Sequence, residues 1–117
     1  MIPAKASFEE TELPKPQQTV VNMKPKDGYC VSFIQAQGFN FKGNAIEWKK
    51  HINSYIPIEG AVVVTNESRW GHLALVTKFN PFGTIEVIEQ NWQAYNIIST
   101  RSINIFDSRI LGYVIKE

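Results

Sequence analysis

Cys30, His72, Glu89 and Asn91 follow one another in that order along a chain of 117 residues, and Cys30 is its one cysteine. These residue types suit nucleophilic attack on an amide. A thiol attacks a carbonyl only as thiolate, so it needs an imidazole to take its proton and a third polar group to orient that imidazole. Cys30 offers the thiol, His72 the imidazole, and Glu89 and Asn91 are two candidates for the third role. A lone cysteine is otherwise a small buried hydrophobe, and its company decides between the readings.

The elements that must position these groups can be read from spacing. Asp27-Gly28 punctuates the chain, and from Cys30 to Gln37 the residues Val31, Phe33, Ile34 and Gln37 recur at helical spacing before Gly38. That pattern predicts a short helix with Cys30 in its first turn. There, unpaired N–H groups and the helix dipole favour a thiolate and can hold a developing oxyanion. A second helix is predicted from Asn44 to about Asn53, capped by Asn44, with Trp48 and Ile52 facing inward as core residues. His51 falls off that face beside Lys50 and reads as a surface histidine, since no second thiol or nearby histidine completes a metal site.

After Pro57 and Gly60 the texture changes to valine- and isoleucine-rich runs at residues 61–65, 72–79, 84–90, 96–103 and 110–115. These predict five strands, with Asn80-Pro81-Phe82-Gly83 turning the second into the third. Two helices followed by an antiparallel sheet make an α+β domain.

The hairpin places the polar residues relative to one another. If Phe79 opposes Thr84 across a four-residue turn, His72 faces Asn91 and Ala74 faces Glu89. His72, Glu89 and Asn91 then share one side of the sheet, with direct partners roughly 5 Å and diagonal ones roughly 7–8 Å apart. A slip of one residue would move Glu89 and Asn91 to the other side. The Cys30 helix is expected to bring its first turn, and the sulfur, above the same side.

Composition narrows the classes of partner. The chain is 44% hydrophobic and 20% charged with a formal net charge of +1, which suits one domain with a core and gives no basic surface for nucleic acid. Lys24, Lys26, Lys49, Lys50, Arg101 and Arg109 are scattered and read as solvated surface charges. No apolar stretch reaches the length of about 18 residues that a membrane-spanning helix needs, and no signal peptide is evident at the amino terminus. Residues 1–26, with Pro3, Pro14, Pro16 and Pro25 and the acidic Glu9, Glu10 and Glu12, read as an extended arm. Its apolar stretch, residues 19–23, can lie against the domain.

From Asp27 to Glu117 the chain resembles the CHAP family of cysteine- and histidine-dependent amidohydrolases and peptidases, which belong with papain-like and NlpC-type hydrolases. The resemblance is carried by Gly28-Tyr29-Cys30, Gly43-Asn44-Ala45-Ile46-Glu47-Trp48, Pro57 to Val64, Gly71-His72-Leu73-Ala74-Leu75-Val76 and Glu89-Gln90-Asn91-Trp92, in that order. It implies a papain-like α+β fold, with two or three N-terminal helices on about five antiparallel strands, and a catalytic domain over residues 27–117. It also implies Cys30 as nucleophile, His72 as general base, and Glu89 or Asn91 as the group that orients the imidazole.

The implied reaction is cleavage of a peptidoglycan amide through a thioester. The bond would be that between muramic acid and L-alanine, or one in the peptide cross-bridges; the alternative is a catalytically silent binding or virion module. Where the family often has Gln before the cysteine, this chain has Tyr29, which either supplies its hydroxyl to the oxyanion or leaves it to backbone N–H groups. Tyr29, Trp70 and Trp92 are the candidate substrate-binding residues, with core packing the competing reading for Trp92. Arg69 reads as a solvated loop residue. The acidic calcium loop of some relatives is not evident, so no metal and no cofactor are expected. The expected partner is bacterial peptidoglycan, without nucleic acid or membrane, met by a monomer. Without an export signal, the expected place is the host cytoplasm until release, or the virion, with action on the cell wall.

Overall fold

The β-branched runs after Gly60 form a single five-stranded antiparallel sheet, in a computed structural model that describes residues 21–23 and 27–116. In chain order the elements are α1 (Cys30–Gln35), a 3₁₀ helix (Ala45–His51), β1 (Val62–Thr65), β2 (His72–Asn80), β3 (Thr84–Gln90), β4 (Ile98–Asn104) and β5 (Ile110–Val114). The strands are ordered β4-β3-β2-β1-β5. The chain's last strand therefore closes beside its first. Val62, Val63 and Val64 of β1 are all fully buried, which is why this central strand reads as an unbroken apolar run.

Two apolar clusters lie on the two sides of the sheet. On one, Val62, Val64, Leu73 and Leu75 meet Phe33 and Ile34 of α1 and Trp48 of the 3₁₀ helix. On the other, Val63, Ala74, Val76, Ile85, Val87 and Tyr113 pack together. Strand residues alternate between these sides, as the two-residue period requires. Trp48 is fully buried as expected, standing edge-on to Phe41 with ring centroids 5.4 Å apart. His51 is half-buried rather than a free surface residue, stacked on Phe41 at 3.8 Å.

The described residues hold one α-helix and one 3₁₀ helix, against the two or three helices expected. The segment after Asn44 is tighter than an α-helix: the Glu47 N–H returns to Asn44 O, three residues back, at 2.9 Å. The Ile46 N–H, unpartnered within any helix that starts here, donates to Trp70 O at 2.7 Å. The Glu47 carboxylate also accepts the Asn44 N–H at 2.9 Å, one half of a capping box. Beyond α1, Gly38 takes a φ of 97°, the left-handed stop predicted there. The Gln37 amide accepts from Asn22 N–H at 2.7 Å and donates to Asn22 O at 2.8 Å, while Val21 packs on the helix-side cluster. The rest of the arm assigned to residues 1–26 lies outside the described residues.

The hairpin differs from its expected form, in a way that leaves the site intact. Asn80, not Phe79, opposes Thr84, and Pro81-Phe82-Gly83 make a three-residue loop in which Gly83 has a φ of 97°. Phe79 and Ile85 are opposed next. Thr77 is then bulged out of the ladder, and beyond it Val76 opposes Val87 and Leu75 opposes Ile88. From that point the offset is the one that a Phe79–Thr84 pairing implies. The shorter loop and the bulge cancel.

Candidate active site

His72 is the first residue of β2 and Glu89 the last but one of β3, both on the side of the sheet that carries Ala74 and Val87. The imidazole Nε2 and Glu89 Oε1 are 2.8 Å apart. An ionised carboxylate only accepts, so Nε2–H is the donor and Nδ1 is left for another partner. The Cys30 thiol lies beside the same ring, near enough to raise its proton affinity, and both residues line one cleft. The residue pair that the diagonal register predicted is thus in direct contact, with the nucleophile candidate beside it.

The thiol arrives by a different route from the one expected. Cys30 packs with α1 against the helix-side cluster, whose Leu73 points away from the imidazole's side of the sheet. It meets His72 where β2 begins, at the end of the strand rather than above its face. Gly71 sets the neighbouring wall. Its φ is 75°, and a Cβ there would lie 2.5 Å from Ile46 N, so only glycine lets the 3₁₀ segment close over the start of β2. Gly28 does the same on the other flank, where a Cβ would stand 2.9 Å from both Asn96 Cβ and Tyr95 Cζ.

Burial opposes charge on the His72 ring, which is only 6% exposed. Its interactions with Cys30 and Glu89 outweigh this burial and raise the imidazole from 6.5 to about 9. The ring is therefore held as imidazolium at neutral pH.

Asn91 does not join that contact. The ladder ends at Gln90; Asn91 takes a φ of 69° and donates its N–H to Ile97 O at 3.0 Å. Its side chain lines the cleft, with no hydrogen bond to the imidazole among the described residues. Gln90, fully buried, holds the following loop by donating to Asn96 Oδ1 at 3.0 Å.

The sequence reading missed a second tier behind Glu89. Arg101, expected as a solvated cation, has a side chain only 14% exposed, and its Nε donates to Glu89 Oε2 at 2.8 Å. Its Nη1 and Nη2 grip Glu67 at 2.8 and 2.6 Å. Burial raises the Glu67 carboxyl, but bonds from Arg101 and Thr65 dominate and hold it down at about 2. β4 sets Arg101 directly opposite Val87, two residues from Glu89 on the same face. The β4 parity, applied to a strand of known register, was the signal that could have found it. Arg109 behaves as expected, with a side chain 54% exposed and paired to Asp107.

A cleft of about 580 Å³ opens over these groups, walled by Tyr29, Val31, Asn44, Glu67, Trp70 and Trp92. Trp92 is neither core nor free: its Nε1 donates to Glu67 Oε2 at 3.2 Å and the Arg101 guanidinium lies 4.0 Å over its ring. Trp70 is exposed with Arg69 over it at 4.6 Å. Tyr29 stands edge-on to Tyr95 with centroids 5.2 Å apart. Among the described residues no group of three or more His, Cys, Asp or Glu is disposed to hold a metal, and no helix is long and apolar enough to cross a membrane.

Comparison with known proteins bears on the family and the fold. The CHAP domain family model matches residues 20–91. A probable autolysin LDP of Staphylococcus aureus (strain NCTC 8325 / PS 47) is 40% identical over 47 residues, 40% of this chain and 17% of that protein. An N-acetylmuramoyl-L-alanine amidase structure from Staphylococcus aureus superposes with a TM-score of 0.59 at 26% identity, over 80% of this chain and 32% of its own. The structure of Ly7917 gives 0.60 at 11% identity over 82% of this chain and 56% of its own, a likeness of fold. The chain thus spans about a sixth of the autolysin and a third of the amidase.

Proposed function

Since the chain belongs to the CHAP domain family, we propose that it hydrolyses an amide of bacterial peptidoglycan with Cys30 as nucleophile and His72 as its acid and base. The observation that carries this reading is His72, bonded to the buried Glu89 carboxylate and lining an aromatic-walled cleft together with Cys30. Autolysin and amidase relatives support the substrate class.

In the proposed cycle the Cys30 sulfur attacks the carbonyl carbon and the amide π electrons move to oxygen. Backbone N–H groups at the start of α1 receive that oxyanion, with Tyr29 at the cleft wall beside them. As the tetrahedral intermediate collapses, the C–N bond breaks and His72 passes its Nδ1 proton to the leaving amine. A thioester on Cys30 remains. Neutral His72 then takes a proton from water, hydroxide displaces the sulfur, and the ion pair is restored. Glu89 keeps the Nε2–H donated to itself throughout, fixing which nitrogen faces the sulfur. Trp70 and Trp92 offer flat apolar faces to sugar rings or stem peptide, and Asn91 is a substrate contact or a lesser orienting group.

Purified sacculi test the proposal. Wild-type protein should clear a suspension, and Cys30→Ala should lower the rate by roughly 10⁴-fold or more while still sedimenting with the wall. Wild-type protein that binds sacculi without cutting them would instead establish a silent binding module. Mass spectrometry of the digest identifies the bond: free stem peptides beginning with L-alanine mark an amidase, and new amino termini inside cross-bridges an endopeptidase.

A further inference from the structure

We infer that Arg101 is a positioning residue of the site, seated by Glu67 and holding the Glu89 carboxylate in the one orientation that presents His72 to Cys30. The inference rests on the cysteine-hydrolase reading for its turnover arm only. Glu89 is wholly buried and has two acceptor oxygens, each with a single partner: Oε1 meets His72 and Oε2 meets the Arg101 Nε–H, both at 2.8 Å. Without the second bond nothing would define the rotation of the carboxylate about its own axis. Arg101 is in turn fixed by a paired grip on Glu67, a geometry that a guanidinium provides and an ammonium does not.

Glu67 is held from its other side as well, by Thr65 Oγ1 at 2.8 Å and by Trp92 Nε1 at 3.2 Å. The guanidinium lies 4.0 Å over Trp92. One cation thus touches both the carboxylate that orients the imidazole and an aromatic wall of the cleft. No step of the proposed chemistry uses it, and its place inside a row of buried acidic groups is costly unless each bond is made. The titratable groups at the imidazole are Cys30 from α1 and Glu89 from β3, with Glu67 from the loop after β1 near them, Arg101 from β4 behind the two carboxylates, and Arg109 Nη1 3.5 Å from Glu67.

The two roles open to Arg101 move His72 in opposite directions. A bare cation disfavours imidazolium, so its removal would raise the His72 midpoint; an orienting group strengthens the carboxylate–imidazole bond, so its removal lowers the midpoint. The full chain with Arg101→Gln, Arg101→Lys and Glu67→Gln should be compared with wild type and with Lys78→Gln, an exposed residue of the same strand as His72. Three readouts apply: His72 titration by NMR, the rate of Cys30 alkylation by iodoacetamide at pH 6, and sacculus turnover, with circular dichroism reporting the fold.

The expected result is a His72 midpoint that falls from about 9 toward 6.5, alkylation slowed roughly tenfold, and kcat reduced 10- to 100-fold with KM little changed. Arg101→Lys should fall between wild type and Arg101→Gln, because it keeps charge and loses the paired grip. Glu67→Gln leaves Arg101 in place and loosens its seat, so it carries the test if the Arg101 variants do not fold. A midpoint that stays or rises, or unchanged alkylation in a folded variant, overturns the inference. Titration and alkylation need no peptidoglycan. If wild type fails on sacculi while these two readouts shift, the functional proposal falls and the positioning role stands.

Discussion

Glu89 stands ahead of Asn91 as the candidate to orient the imidazole: its carboxylate is buried, bonded to His72 on one oxygen and to Arg101 on the other. Their substitutions should separate them sharply. Glu89→Gln removes the charge that favours imidazolium and puts a donor where an acceptor is needed, so turnover should fall roughly 10²- to 10⁴-fold. Asn91→Ala removes no bond to the ring and should stay within about tenfold of wild type, the scale of one polar contact to substrate. Initial rates on sacculi, normalised to folded protein, check the pair; an Asn91 variant as damaged as the Glu89 one would reassign the orienting role. The proximity of His72 and Glu89 was legible because such residue types are few and the hairpin links the two by parity. Arg101 was not, because arginine is common on surfaces and its partner Glu67 is 34 residues away. Only β4, whose register with β3 no turn signal specified, brings them together.

At the scale of elements, the strands were readable within about two residues at each end, since β-branched runs and Gly and Pro boundaries are strong local signals. The 3₁₀ form of Ala45–His51 was not readable, because the spacing of apolar residues over seven positions does not tell a 3₁₀ from an α-helix. The side from which Cys30 reaches His72 was hidden because docking of a six-residue helix is decided by packing, not by its own pattern. Gly71 is where the 3₁₀ segment meets the start of β2. Gly71→Ala would combine a left-handed backbone with a Cβ driven against the Ile46 backbone. It should cost about 1–3 kcal/mol and splay the Asn44 wall from the cleft. Urea denaturation measures the first effect, and loss of turnover at a temperature where the variant is still folded measures the second.

For the whole molecule, the buried charges make stability depend on pH at both ends. His72 has a folded value of about 9 against 6.5 unfolded, so between those values the folded protein holds the extra proton. Its contribution is complete below about 6.5 and is lost as pH rises through about 9, at no more than about 1.4 kcal/mol per pH unit. Glu67 is shifted the other way, from 4.5 to about 2. Its contribution is complete above 4.5 and is lost as pH falls toward about 2. Thermal unfolding should therefore show a plateau near pH 4.5 to 6.5 with a decline on each side. In Cys30→Ala, which removes one source of the His72 shift, the alkaline decline should end at lower pH and be smaller; a profile identical to wild type would show that Cys30 contributes nothing to the shift.

The bulge at Thr77 has a consequence for how this chain can be lengthened or cut. His72 and the Pro81-Phe82-Gly83 loop stand at opposite ends of a nine-residue strand, roughly 26 Å apart at the ordinary rise per residue. Between them, one residue sits outside the ladder, and the pairs on either side of it, Val76–Val87 and Lys78–Glu86, are neighbouring rungs on β3. Adding or removing a residue at that single point changes the outline of the far tip and leaves untouched which side of the sheet each later residue faces. A dye, an affinity handle or a second protein grafted at Phe82, whose ring is 97% exposed, would ride on a part of the molecule whose length the histidine never measures.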